Sequence, residues 1–218
     1  MSYSVKELYF TLQGEGAQTG RAAVFLRFAG CNLWSGREAD RADATCNFCD
    51  TDFVGTDGSG GGVFDSADDL AAAAAAIWDE SRAHREGAGR DGAYIVCTGG
   101  EPLLQLDAPL VAALHRAGFE IAVETNGTKE APQGLDWICV SPKAGAPLVQ
   151  RSGHELKLVF PQPGLAPATF EGLEFRHFFL QPMDGPEQKA NTHAAIAYCL
   201  AHPRWRLSLQ THKFLGLP

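Results

Sequence analysis

Five residues with strand-like chemistry, Ala93-Tyr94-Ile95-Val96-Cys97, run without a break into Thr98-Gly99-Gly100-Glu101-Pro102. A short apolar run of this kind, bounded by glycine, reads as a strand covered on both faces. The glycines after it permit close approach to the backbone, and Glu101 offers a carboxylate where an amino group could dock. Similar runs recur at Tyr3 to Leu12, Ala22 to Phe28, Phe119 to Glu124, Trp137 to Ser141, Glu155 to Phe160 and Phe175 to Gln181. Helical stretches intervene. Ser66-Ala67-Asp68-Asp69 resembles a capping box and opens a helix through the alanines at 71–76, which the glycines from Gly87 to Gly92 close. Others are predicted near Gln105 to Ala117 and Glu187 to Ala201. Strands alternating with helices or crossovers imply a parallel sheet, which presents ligands at the carboxyl ends of its strands. Arg27, Thr98 to Pro102, Glu124 to Asn126, Ser141 to Lys143 and Gln181 all fall at such ends. The expected class is α/β, and periodicity alone leaves open whether the sheet closes.

A chain of 218 residues, 45% hydrophobic and 20% charged, can bury one sizeable core, so a single domain over 1–218 is expected. The net charge of −8, without long Lys/Arg runs, argues against nucleic acid or an anionic membrane as the main partner and favours a small molecule. The N-terminus lacks a signal-peptide pattern and no apolar stretch reaches spanning length, which makes the reduced cytoplasm the expected compartment. Glycines between Gly55 and Gly62 suggest a flexible loop; no Lys-Ser/Thr follows that would make it a phosphate cradle.

Three of the six cysteines, Cys31, Cys46 and Cys49, stand in Cys-x14-Cys-x2-Cys spacing. Thiolates favour iron–sulfur clusters or zinc, and three ligands leave one metal position open for a small molecule. A zinc knuckle completed by His, Asp40, Asp43 or Asp50, or three unrelated thiols, would give the same pattern. Cys97, Cys139 and Cys199 lie in apolar segments and read as buried hydrophobes. Arg27 ends an apolar run, where it either pairs with a structural carboxylate or forms a fork for a substrate carboxylate.

Together the cysteines and the Gly-Gly-Glu-Pro strand end resemble the radical S-adenosylmethionine (SAM) enzymes, whose usual cysteine spacing is Cys-x3-Cys-x2-Cys. Leu12-Gln13-Gly14-Glu15-Gly16, Arg27-Phe28-Ala29-Gly30-Cys31-Asn32-Leu33-Trp34, Cys49-Asp50-Thr51, Glu124-Thr125-Asn126-Gly127-Thr128 and Ser141-Pro142-Lys143 are similar to the 7-carboxy-7-deazaguanine synthases among them. The resemblance runs from Gln13 to the chain end. It implies a modified, partial (β/α)6 barrel, an N-terminal substrate-binding strand and turn, an extended cluster loop over about 30–64, and a homodimer. It also implies the reaction: 6-carboxy-5,6,7,8-tetrahydropterin becomes 7-carboxy-7-deazaguanine with loss of ammonia, started by a 5′-deoxyadenosyl radical.

By the same resemblance, Cys31, Cys46 and Cys49 hold a [4Fe–4S] cluster and Thr51 binds Mg²⁺. SAM lies against Phe48, Cys49, Asp50, Gly100 and Glu101, against Ser141, Pro142 and Lys143, and against Gln181, Pro182, Met183 and Asp184. Substrate meets Leu12, Gln13, Gly14, Glu15, Arg27, Thr98 and the terminal Pro218, with Glu124 a further candidate. A cytosolic one-electron reductant is the implied partner. Two other readings are a radical SAM activase working on a partner protein and a zinc-stabilised binding domain.

Overall fold

The computed structural model describes residues 2–82 and 91–218. Nine strands form one sheet in the order β3-β1-β2-β4-β5-β6-β7-β8-β9. From β2 (Ala22–Phe28) through β4 (Tyr94–Gly99), β5 (Glu120–Thr125), β6 (Trp137–Val140), β7 (Ser152–Phe160), β8 (Glu174–Pro182) and β9 (Trp205–Leu207), every neighbour pair is parallel. β1 (Tyr3–Leu12) and β3 (Gly62–Phe64) continue the sheet antiparallel. β3 and β9 are the free edges, so the barrel is open.

Alternation within β4 shows how the core is built. Ile95 and Cys97 face the helices, in one cluster with Val24, Leu26, Trp78 and Leu110, while Tyr94 and Val96 face the interior with Ala23 and Ala122. Both faces are therefore apolar, as a parallel strand requires. A second cluster, centred on Leu156, Leu158, Phe178 and Trp205, packs under α3 (Gln188–Ala201).

Most expected elements appear at their expected places. α1 spans Ala67–Arg82, and the Ser66 hydroxyl accepts from the Asp69 amide at 3.1 Å while donating to its carboxylate at 2.6 Å. Its expected glycine stop lies partly outside the described residues. α2 is shorter than predicted, Ala108–Arg116, because Asp107 caps it, accepting from the Leu110 amide at 3.0 Å. Ahead of it Pro102–Leu104 form a 3-10 turn. Helices cross over only before β4, β5 and β9, which makes the α layer thinner than in a full barrel. Three short elements were not foreseen: β3, β9 and α4 (Thr211–Leu215). Nor does the glycine-rich segment hang free. Ser59 C=O accepts from the Leu8 amide at 2.8 Å, and a Cβ at Gly60, whose φ is +65°, would stand 2.4 Å from the Leu8 carbonyl oxygen. Glycine there lets the loop lie flat on β1.

Candidate active site

A cavity of about 400 Å³ opens at the carboxyl ends of the parallel strands. Arg27 on β2 and Thr98 on β4 are paired in register and share one layer of its wall. Glu124 from β5, Ser141 and Lys143 after β6, Lys157 from β7 and Gln181 from β8 complete the circuit. The cysteine loop roofs one side and the Gln13 turn the other.

The loop is an ordered unit. Trp34 is buried, meets Phe53 edge-on at 5.6 Å, and carries the Arg41 guanidinium 4.1 Å above its ring. Arg41 donates through Nη1 to the carbonyls of Asn47 and Cys49, both at 3.0 Å, and through Nε to Glu38 at 2.8 Å. Residues between the first two cysteines thus pin the turn that carries the last two. Hydrogen bonds to a charged group contribute about 1.5–3 kcal/mol each. Arg41→Ala should therefore raise amide exchange across residues 46–50 by tenfold or more while β4 exchanges as before. Equal exchange in both proteins would mean that the pin is idle.

Chain ends of strands meet this loop closely. A Cβ at Gly100 would fall 2.3 Å from the Gly30 oxygen and 2.7 Å from the Cys31 Cβ, so only glycine lets β4 pass under the first cysteine. Glu101 is fully buried and does not face the cavity. It accepts from the Leu103 and Asn126 amides at 2.9 and 2.8 Å and from the Thr125 hydroxyl at 2.7 Å. The acidic residue expected to meet SAM instead ties β4 to β5. Asn126 donates to Asn32 at 3.0 Å and Asn32 to Thr128 at 2.8 Å, so the Glu-Thr-Asn-Gly-Thr motif fastens the cysteine loop to β5.

The three loop thiols lie on one wall of the cavity, a soft donor set of the kind that iron–sulfur clusters or zinc favour. Among the described residues one further set of donors, those of Glu124, Cys139 and Glu155, converges within 4.8 Å. The Glu124, Cys139 and Glu155 set surrounds an ammonium already, that of Lys157. Cys46 donates its thiol hydrogen toward Cys49, which lowers Cys49 to about 6 and pushes Cys46 up. Lys143 is the second fitting feature. Its side chain is half-buried on the cavity wall, its ammonium bonds to the Ser141 carbonyl and hydroxyl at 2.7 Å, and it has no carboxylate partner among the described residues. Burial pushes its pKa down. An amino-acid carboxylate beside the cysteines would complete that pair.

The substrate-side residues are more heavily partnered than the sequence indicates. Arg27 donates Nε–H to Glu7 at 2.6 Å and Nη2–H to the Tyr9 hydroxyl at 3.2 Å, and its side chain lines the cavity. Of the two sequence readings of Arg27, the pairing with a structural carboxylate is present, with Glu7 as the partner. Gln13 donates to Glu124 at 3.1 Å and accepts from the Glu15 amide at 3.0 Å. Asp50 and Asp184 share Lys213 of α4, Asp50 at 2.6 Å. Leu12, Glu15, Phe48, Thr51, Pro182, Met183 and Pro218 also reach the cavity wall, and Pro218 O lies 3.5 Å from the Thr11 hydroxyl. Gly14 and Pro142 do not line it; Gly14 O accepts from the Thr211 amide and hydroxyl at 3.0 Å. Tyr9, Lys157, Gln210, His212 and Lys213 line the cavity without having been anticipated. Cys97 and Cys139 are fully buried, whereas Cys199 is half-buried on α3.

A protein from Caulobacter vibrioides, 7-carboxy-7-deazaguanine synthase, is 66% identical over all 218 residues, with both chains fully covered. The chain belongs to the 7-carboxy-7-deazaguanine synthase family. A relative of the same name from Bradyrhizobium diazoefficiens is 67% identical over 217 residues, again with full coverage of both chains. The crystal structure of QueE from Escherichia coli superposes with a TM-score of 0.63 at 27% identity, covering 96% of this chain and 94% of that one. No protein-family model matches the chain. Members of this radical SAM family work with an iron–sulfur cluster and SAM, and the open α/β sheet agrees with that membership. Among the described residues no helix is long and apolar enough to cross a membrane.

Proposed function

We propose that the chain converts 6-carboxy-5,6,7,8-tetrahydropterin to 7-carboxy-7-deazaguanine with loss of ammonia, on the route to queuosine. The observation that carries this reading is one cavity joining three loop cysteines, a half-buried Lys143 with no carboxylate partner among the described residues, and the Arg27 guanidinium. When bound, the cluster and SAM supply the electron and the radical that takes hydrogen from substrate C6. Cys31, Cys46 and Cys49 would hold the cluster. Lys143 would pair the SAM carboxylate, Ser141, Gly100 and Gln181 to Asp184 would line its bed, and Phe48 and Asp50 would flank it. Arg27 would take the substrate carboxylate, with Leu12, Gln13, Glu15, Thr98 and Pro218 around the ring. The protein's own contribution is to orient these species and keep water away.

A recess of about 400 Å³, with charged groups turned inward, suits a small molecule better than a peptide side chain presented by a partner. The 1–218 chain would work as one radical SAM core, as a cytoplasmic homodimer fed by a cytosolic one-electron reductant. Anaerobically reconstituted protein incubated with reductant, SAM, Mg²⁺ and the carboxytetrahydropterin tests the assignment. Formation of the deazaguanine acid supports it, and an unchanged pterin with intact cluster overturns it.

Thr51 reaches the cavity beside Asp50 and is the proposed oxygen ligand for Mg²⁺, whose other sites would go to substrate and water. Thr51→Ala should lower turnover and shift the magnesium titration to higher concentration, with SAM affinity unchanged. An identical titration would remove Thr51 from the metal site.

A further inference from the structure

Lys157 is the least exposed cation of the cavity wall, at 3%, and lies in the middle of β7 opposite Phe179 of β8. Its ammonium donates to Glu124 at 2.6 Å and to Glu15, so it joins the turn after β1 to the end of β5. Every charged or titratable group around it is identifiable. Glu15 comes from the turn after β1, Tyr94 from β4, Glu124 from β5 and Cys139 from β6. Glu155 sits on the same face of β7, Lys143 after β6, and His212 on α4. Two carboxylates thus share one bonded, buried ammonium, with the carboxyl of Glu155 nearby.

We propose that Lys157 is a positioning residue that holds Glu15 and Glu124 side by side and keeps Glu15 charged, making the cavity floor an acceptor surface for the N–H edge of a pterin-like heterocycle. The inference rests on the substrate class proposed above. Each carboxylate offers about four lone-pair directions. Glu15 spends one on Lys157 and one on Gln210 at 3.1 Å; Glu124 spends one on Lys157 and one on Gln13 at 3.1 Å. Both retain acceptor capacity toward the cavity. Burial alone would raise Glu15, but Lys157 first, then Gln210 and His212, bring it down to about 2. Without the ammonium, two neighbouring half-buried carboxylates would repel, which favours a proton held between them. A protonated floor would lose an acceptor and present a donor to a donor.

The test is calorimetric binding of 6-carboxytetrahydropterin to cluster- and SAM-loaded protein, native and Lys157→Met, between pH 6 and pH 9. The ratio of the two Kd values cancels the titration of the pterin itself. A carboxyl whose pKa has risen is protonated below that pKa, so the ratio should be largest near pH 6, about thirtyfold or more, and should shrink at least tenfold toward pH 9. A ratio near one, or one constant across pH, would make Lys157 merely a structural tie and overturn the proposal. Should Lys157→Met fail to fold, Lys157→Gln keeps hydrogen-bond donors without the charge. The same sloping ratio is expected for it, and native-like binding overturns the proposal. Failure of the native protein to bind the pterin would count against the substrate class instead, and is read in a separate arm.

Discussion

Single replacement of Cys31, Cys46 or Cys49 by Ala is expected to drop bound iron after anaerobic reconstitution from about four per chain to background, and turnover with it. Cys97→Ala and Cys199→Ala should keep full iron content, at a packing cost of order 1 kcal/mol. The contrast follows from placement: the first three thiols border the cavity, while Cys97 lies among core side chains and Cys199 on the outer helix. Iron content and the visible absorption of the reconstituted protein read the result directly. A Cys31→Ala protein that still assembled a catalytically active cluster would show that the long spacing misassigns the first ligand.

Arg27→Ala should raise KM for the pterin by about thirtyfold or more, since losing one partner of a buried charge pair costs roughly 2–5 kcal/mol. The side chain is 17% exposed, and Glu7 and Tyr9 hold it in one orientation, so little solvent is available to screen it. Arg27→Lys should recover little, because one ammonium cannot reproduce the planar fork. Burial opposes the charge of Arg27, but Tyr9 and Glu7 hold its pKa up, so no pH dependence near neutrality should originate there. Steady-state kinetics with iron content as control will decide; an unchanged KM would return Arg27 to a purely structural pairing with Glu7.

Strands were legible in the sequence because the sheet's two covered faces demand continuous apolar runs, and those runs stop where the cavity begins. The start of α2, expected near Gln105, falls at Ala108 because Asp107 caps the helix. β3, β9 and α4 are three to five residues long, too short for a period to show. Within the site, the residues of fixed spacing were readable, since cluster and turn chemistry dictate the neighbours of Cys46, Cys49 and Thr98. Lys157 and Lys213 belong to no motif. A signal for Lys157 existed nonetheless: Glu155-Leu156-Lys157-Leu158 puts two charges on one face of a buried strand, which requires partners from elsewhere. Glu101 shows a structural use that its motif did not reveal: a carboxylate beside paired glycines suggests a ligand, and here it accepts from two backbone amides and the Thr125 hydroxyl.

The open sheet has a consequence for how a substrate enters. The turn after β1 crosses the gap and meets the far strands through the Gly16 amide on Ser208 at 2.9 Å, the Ala17 amide on Glu155 at 2.9 Å and the Gly14 carbonyl on Thr211. This polar seam takes the place that a strand ladder would occupy in a closed barrel. The neutral bonds among these contribute only about 0.5–1.5 kcal/mol each and the one to the Glu155 carboxyl at most about 3, and all can be exchanged for water, whereas parting two strands would break a whole ladder around the core. The mouth can therefore unbutton and refasten while the strands stay paired, and amides at Gly16 and Ala17 should exchange well ahead of those in β2 and β4. Access to the chemistry is in this way set by a few side-chain contacts, separately from what keeps the protein folded.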